Sequence, residues 1–221
     1  MNECNLPTRQ QCFKLMEQFH VPSHIKEHGL VVAKLGIFLA KKLKEKGIAV
    51  NLELVDRACL LHDVLRVLDF NESDYDRFEQ SVPDEHKTKW QRLRAEHESA
   101  CHEEAAYELL KERYPVLATT IRRHKYTALL DEKEKPNTWE EKLVYYADKR
   151  VMRDKIVPLK PRLEEAHKRN ALLREIRSAS KIDTAKVDSL IFELEQEIFE
   201  QIGLDPLEIT DELVNLRNDC Q

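Results

Sequence analysis

The sequence predicts an all-α protein, and three observations carry that expectation. Only four glycines and eight prolines occur in 221 residues, 35% of the residues are charged, and the apolar residues recur at spacings of three and four. Turn-rich β proteins need more chain-bending residues, whereas long helices with one solvated face need this charge content and this period. At 42% hydrophobic the chain can bury one substantial core. The expected organisation is a core with an N-terminal helix over residues 1–158 and a C-terminal helical extension over 159–221 packed on the same domain.

A first helix is expected from about Pro7 to Phe19. Val21-Pro22-Ser23 then breaks the chain and offers Ser23 as the N-cap of a second helix that stops near Gly47. Its apolar positions Ile25, Val32, Leu35, Leu39 and Leu43 share a face, with the lysines of KKLKEK mostly opposite. Asn51 can cap a third helix running through Leu65. The polar stretch from Asp69 to His97 reads as a partly helical lid, and helices follow at roughly 97–113, 115–125 and 138–155, the second with Pro115 near its first position. A charged pair at about 161–178 and 183–202, ended by Gly203, completes the chain.

Composition excludes several function classes. The net charge of -5 gives no global attraction for nucleic acid, so a nucleic-acid partner is disfavoured. Five scattered cysteines, Cys4, Cys12, Cys59, Cys101 and Cys220, form no CxxC pair and read as reduced cytosolic thiols. The best apolar stretch, LVVAKLGIFLA, is too short to span a bilayer and is interrupted by Lys34, which points to a soluble, cytoplasmic protein. GxSxG, GxxxxGK[ST] and GxGxxG motifs are all missing, which removes the familiar cues for serine hydrolases, P-loop enzymes and Rossmann folds. His97-Glu98 and His102 resemble HExxH, but a spacing of five turns the second histidine roughly 140° from the first.

The informative residues are ionisable side chains on apolar faces. His28 lies between Ile25 and Val32; a lone histidine there is usually a hydrogen-bonded core residue. The same placement recurs at His62, His102, His124 and Asp148. Burying an unpaired carboxylate costs several kcal/mol, so separate helices aiming His and Asp at one core imply a shared cation.

Taken together and in order, HIKEHGLVVAKLG, CLLHDVLRVLDF, HEEAAYELLKERYP, IRRHKY and KLVYYADKRV resemble the HD-domain superfamily of metal-dependent phosphohydrolases over about Ser23 to Lys155. The resemblance implies an HD-domain helical bundle, here with an additional C-terminal helical pair. It also implies that His28, His62, Asp63 and Asp148 bind a principal metal ion. His102 and His124 match the extra histidines of binuclear members, in which the aspartate of the pair, here Asp63, bridges two ions and is catalytic. Many members continue the pair as HDIGK, whereas this chain has His62-Asp63-Val64-Leu65-Arg66. Some binuclear members carry two consecutive histidines where this chain has His124-Lys125, and an HD-GYP signature is missing.

Imidazole and carboxylate donors suit Mn, Fe, Zn, Ni or Co, so the expected cofactor is one or two divalent transition-metal ions. Arg66 could clamp a phosphate bidentately or lie solvated at a helix end. Lys149 is a second candidate for substrate phosphate at the site mouth, and Arg150 is expected on a solvated face. Tyr75, Phe78 and Trp90 in the lid could stack on a nucleobase or serve as packing anchors. The resulting expectation is a phosphohydrolase acting on a nucleotide or related small phosphate ester. The alternatives are a non-catalytic metal-binding sensor or scaffold that uses its C-terminal helices to contact a partner, and an RNA-processing phosphodiesterase.

Overall fold

The computed structural model describes residues 5–71, 74, 75, 78, 81–97, 100–176 and 182–218. Ten helices occur among them. Helix α1 spans Arg9–Gln18, α2 Ser23–Glu45, α3 Leu52–Leu61, α4 Asp84–Glu96, α5 His102–Leu110, α6 Pro115–Arg122 and α7 Trp139–Arg150. After a two-stranded antiparallel hairpin, β1 Val151–Met152 and β2 Lys155–Ile156, come α8 Leu159–Ile176, α9 Thr184–Ile202 and α10 Asp211–Asn218. The all-α expectation is met. The helical pattern read through residue 155 stops at Arg150, where Val151 is already extended and begins a hairpin whose turn holds Arg153 at φ +58°.

Local chemistry sets the helix boundaries. Thr8 and Gln11 form a reciprocal capping box that starts α1, and Thr138 and Glu141 do the same for α7. Asn51 caps α3 by accepting from the Leu54 amide, as its position suggests. Ser23, expected to be a cap, is instead the first helical residue after Pro22, which makes no side-chain cap. Helix α9 ends at Gly203, whose φ of +70° is the left-handed geometry that glycine adopts without steric cost.

The centre of the molecule is α2 packed against α3 and α7, with α6 on α3 and α5 on α6. Helices α2 and α3 approach closely because two glycines of α2 face α3. A Cβ on Gly36 would lie 2.8 Å from the Cys59 sulfur, and one on Gly29 would lie 3.2 Å from the Leu60 carbonyl oxygen. The second contact sits beside His28 and draws its helix against the C-terminal end of α3, where His62 follows.

The lid expectation changes in character. Trp90 and Tyr75 are buried, and the Trp90 indole N–H donates to the Phe19 carbonyl at 2.9 Å. Arg94 donates to the carbonyls of Val67 and Phe70 and to the Tyr75 hydroxyl. Tyr75, Phe78 and Trp90 pack on one another, so the aromatics are anchors. Part of the proposed lid, residues 72, 73, 76, 77, 79 and 80, lies outside the described residues.

The C-terminal helices pack on α7 and α2. One polar tie between them and α7 is Arg150, and here the expectation of a solvated face is wrong. Arg150 is 1% exposed, donating to the carbonyls of Val157 and Pro206 and to the Tyr146 hydroxyl, with Glu195 of α9 at 3.4 Å. A charge this deep persists because the guanidinium's five donors find a full set of acceptors. Cys12, Cys59 and Cys101 are free thiols; Cys4 and Cys220 lie outside the described residues.

Candidate metal centre

Helix α3 ends at Leu61, one turn earlier than its apolar pattern suggests, and this ending builds the site. The Val64 amide bonds the Leu61 carbonyl and the Arg66 amide bonds the Asp63 carbonyl, so the chain tightens into turns that lead to a 3-10 helix, Arg66–Asp69. His62 and Asp63 therefore leave the helix end side by side. His28 comes from the first third of α2, Asp148 from the last turn of α7, His102 from the first position of α5, and His124 from two residues beyond α6. His124 is steadied by its neighbour, since Arg123 meets both carboxylate oxygens of Glu141 at 2.8 Å.

The structure brings all six of these residues together. Three overlapping groups, His28 with His62 and Asp63, His62 with His124 and Asp148, and Asp63 with His102 and His124, each offer ligand atoms lying within 4.8 Å of one another. The rings of His28 and His62 are 5.3 Å apart between centroids, those of His62 and His124 5.1 Å, and those of His102 and His124 5.4 Å.

The orientation of the rings decides what the cluster is for. Every Nδ1 points outward to an acceptor: His28 to the Arg153 carbonyl at 2.9 Å, His62 to the Cys59 carbonyl at 2.7 Å, His124 to the Ile121 carbonyl at 2.5 Å, and His102 to Asp69 Oδ2 at 2.8 Å. A carbonyl can only accept, so in His28, His62 and His124 the proton sits on Nδ1 and the neutral ring turns an Nε2 lone pair inward. Those lone pairs meet further acceptors. His28 Nε2 faces Asp148 Oδ1 at 3.1 Å, and His62 Nε2 faces Asp63 and Asp148 at 3.6 and 3.5 Å. His102 Nε2 faces Asp63 Oδ1 at 3.0 Å and His124 Nε2 at 3.4 Å. His62 Nε2 is buried without a hydrogen-bond partner. Electron pairs aimed at electron pairs in a buried site require a positive charge between them.

In the metal-free chain, protons supply part of that charge. Burial opposes protonation of His62, but Asp63 and Asp148 outweigh it and raise its pKa. Burial and Arg66 oppose protonation of His102, yet the carboxylates of Asp63 and Asp69 raise it to about 9. His124 moves the other way, lowered by burial with His62 and His102 adding to the effect and Asp63 opposing. Burial works against ionisation of Asp63 and Asp148, but both are held well below the usual carboxylate range, Asp63 by His62 and Arg66 and Asp148 by Lys149 and His28. The donor set of neutral imidazole nitrogens and ionised carboxylates fits a divalent transition metal, with hydrogen-bonded Nδ1 atoms as the outer support such ligands need.

The HD domain family model matches residues 25–153, which span all six residues. The chain belongs to the HD-domain family. Its fold is the HD-domain helical bundle with added C-terminal helices, and the family is one of metal-dependent phosphohydrolases. No curated protein and no solved structure matches the chain. Among the described residues, no helix is long and apolar enough to cross a membrane.

The remaining candidates separate. The Arg66 side chain is 38% exposed, 3.8 Å from Asp63 and 3.4 Å from Asp69, with its guanidinium against the His102 ring. It occupies the rim of the HD cluster. Lys149, expected at the mouth, is 9% exposed and points inward, with Nζ 2.5 Å from Asp148 Oδ2 and 3.1 Å from the His124 carbonyl. Its Nζ also lies over the Tyr145 ring, 4.8 Å from the centroid. Two residues escaped the sequence reading: Asp69, which orients His102, and Glu103, 3.3 Å from His102 Nδ1. Asp69 had a signal in its spacing, since three residues after Arg66 places it on the same side of a helical turn.

Proposed function

We propose that this HD-domain protein hydrolyses a nucleotide or related small phosphate ester, using one or two divalent ions of Mn, Fe, Zn, Ni or Co. The observation that carries the reading is the inward convergence of imidazole lone pairs on the oxygens of Asp63 and Asp148. His28, His62, Asp63 and Asp148 would hold one ion, and Asp63, His102 and His124 a second. Asp63 can serve both because its Oδ2 lies toward His62 at 3.6 Å while its Oδ1 lies toward His102 at 3.0 Å and His124 at 3.7 Å.

Bound at these residues, such ions would supply Lewis acidity toward water and toward phosphoryl oxygens. The protein's own contribution is orientation and charge. The outward hydrogen bonds fix each ring before substrate arrives, and Asp69 keeps His102 turned inward. Lys149 offsets the negative charge of Asp148 from behind. Arg66, at the rim, meets the incoming phosphate. The C-terminal helices belong to the same domain as the core in this reading, which the buried Arg150 tie supports.

Metal analysis of the purified protein, followed by a phosphoester screen with added divalent ions, tests the proposal. Bound metal with hydrolysis of at least one nucleotide supports it. Bound metal with no hydrolysis across the screen would favour the sensor or scaffold alternative, and failure to bind metal would remove both.

A further inference from the structure

The two carboxylates of the cluster are used differently. Asp63 turns both oxygens inward, Oδ2 toward His62 at 3.6 Å and Oδ1 toward His102 at 3.0 Å and His124 at 3.7 Å. Asp148 turns in only one. Its Oδ1 faces His28 Nε2 at 3.1 Å and His62 Nε2 at 3.5 Å, while its Oδ2 is taken by the Lys149 ammonium at 2.5 Å. A carboxylate free to turn can give a metal ion one oxygen or two. A fixed cation on one oxygen decides which.

Lys149 is placed to make that decision permanent. It is 9% exposed on the last turn of α7, and its ammonium meets Asp148 Oδ2, the His124 carbonyl at 3.1 Å and the face of the Tyr145 ring, 4.8 Å from the centroid. An ammonium has three donors and no acceptor, so these partners satisfy it from inside the protein. The carbonyl it holds belongs to a second-half residue, which fixes the ammonium relative to both halves of the cluster. Arg66 exerts no such hold on the other carboxylate, since its side chain is 38% exposed and lies 3.8 Å from Asp63 Oδ1. A positive charge beside a ligand also repels the cation that the ligand binds. Lys149 therefore lowers metal affinity, and its presence asks for a reason other than tight binding.

We propose that Lys149 is a positioning residue that reserves one oxygen of Asp148, so that this carboxylate gives the first ion a single donor and a coordination position stays open for an oxygen from outside the chain. Such an open position is what distinguishes catalytic metal sites from structural ones. Lys149 then acts through Asp148 and does not itself meet the substrate. The inference rests on the proposed metal-dependent reading of the same site, and it concerns how the first ion is held, whatever is hydrolysed.

The test uses Co²⁺ as the probe, with affinity read by competition with a chelator and coordination by visible absorption, on the wild-type protein, Lys149→Met and Lys149→Arg. The binding step lost in Asp148→Ala identifies the first ion. Methionine nearly keeps the length of the side chain and packs well against an aromatic ring, but leaves Oδ2 unheld. Lys149→Met should bind the first ion about tenfold more tightly, because a repelling charge is gone. It should also absorb more weakly per bound ion, because a second carboxylate oxygen raises the coordination number. Lys149→Arg, which keeps a cation on Oδ2, should give both readings close to wild type. A lysine that only supported the fold would give weaker binding in Lys149→Met. That result, unchanged binding, or tighter binding with unchanged absorption overturns the proposal. Lys149→Gln removes the charge with a polar side chain and is measured in parallel. If the methionine variant does not fold, tighter Co²⁺ binding by the glutamine variant supports the proposal, and weaker or unchanged binding overturns it. If the shifts appear but no phosphoester is hydrolysed, the hydrolase reading fails and the reserved oxygen stands; a protein that takes up no Co²⁺ removes both.

Discussion

The two halves of the HD cluster are built from different materials. His28 and His62, in the first half, are oriented by backbone carbonyls, those of Arg153 and Cys59. In the second half His124 also uses a carbonyl, but His102 depends on the side chain of Asp69, which is 33% exposed. Backbone carbonyls stay in place through most substitutions, whereas a carboxylate can be removed or protonated. If the cluster holds two ions as proposed, the first site should therefore be robust and the second tunable, with Asp63 coupling them.

The largest effect is expected at that coupling residue. Asp63→Ala should remove the shared ligand and lower hydrolysis by on the order of 10³-fold or more, with metal content falling in both halves. His167→Ala serves as a control, since its ring pairs with Asp188 at 2.7 Å and takes no part in the cluster. Retention of full metal content and activity in Asp63→Ala would sink the assignment.

Removing single ligands should separate the halves. His102→Ala and His124→Ala are each expected to release about one of two ions and to leave the other in place, with activity reduced by on the order of 10²-fold. Asp148→Ala should release the first ion instead. Elemental analysis after saturation and desalting gives the stoichiometry. If well-loaded wild-type protein carries one ion, and both second-half variants keep it with full activity, His102 and His124 are satisfied core residues.

A smaller effect is expected from Asp69→Asn, which leaves every ligand present and replaces the carboxylate that supports His102, and that lies 3.4 Å from Arg66, by a neutral amide. Loss of that negative charge behind His102 should weaken the second ion by about 10-fold and leave the first unchanged. Competition titration with a chelator of known affinity resolves the two steps. Equal weakening of both would mean that Asp69 acts through the whole fold.

How much of this could be read from the sequence follows the same division. Five of the six cluster residues were legible because each places a polar group on an apolar helical face, a conflict that local patterning exposes, whereas Asp63 was reached only through the resemblance carried by the His62-Asp63 pair. Arg150 was not, because a period of 3.6 says which face a residue occupies but not that helix α9 and the Pro206–Glu208 turn will cover it. The early end of α3 was also hidden, since Val64 and Leu65 continue the apolar pattern while the backbone has already tightened. Helix α10 and the hairpin escaped for want of length. The four residues of the hairpin strands carry too little period to identify, and Arg153 gives no glycine signal for its positive φ.

Acidity should act on the halves unequally. In the metal-free protein His102 has a pKa raised to about 9, against about 6.5 for an unfolded imidazole. A raised folded value means that the folded state binds the proton more tightly. The stabilisation is complete below about pH 6.5 and is lost as pH rises through the folded value. His62 shifts in the same direction, while the lowered His124 opposes them. Asp63 and Asp148 are lowered, so their contribution persists above about pH 4 and is lost only in stronger acid. Metal must displace the proton from His102, so its added stabilisation should grow over the range in which the apo protein weakens. Thermal melts from about pH 6 to 10, with and without Mn²⁺, should show opposite slopes for the wild type and flatter ones for His102→Gln. Identical profiles for the two proteins would remove His102 from the linkage.

The smallest effect is expected where the first half is supported. Arg153 holds His28 through its backbone carbonyl at 2.9 Å, and its side chain is exposed. Its φ of +58° is a left-handed conformation that costs an arginine but not a glycine. Arg153→Gly keeps the carbonyl, relieves that cost and adds chain entropy to the unfolded state, two effects that oppose each other within about 1 kcal/mol. Stability should stay within that margin of wild type, and affinity for the first ion should change by less than about twofold, well below the tenfold that 1.4 kcal/mol represents. The comparison with Asp69→Asn is then direct, because each substitution changes the residue that orients one histidine and only one of them alters the accepting group, from a charged carboxylate to a neutral amide. A tenfold loss of the first ion in Arg153→Gly would show that the hairpin side chain, and not the backbone alone, holds His28.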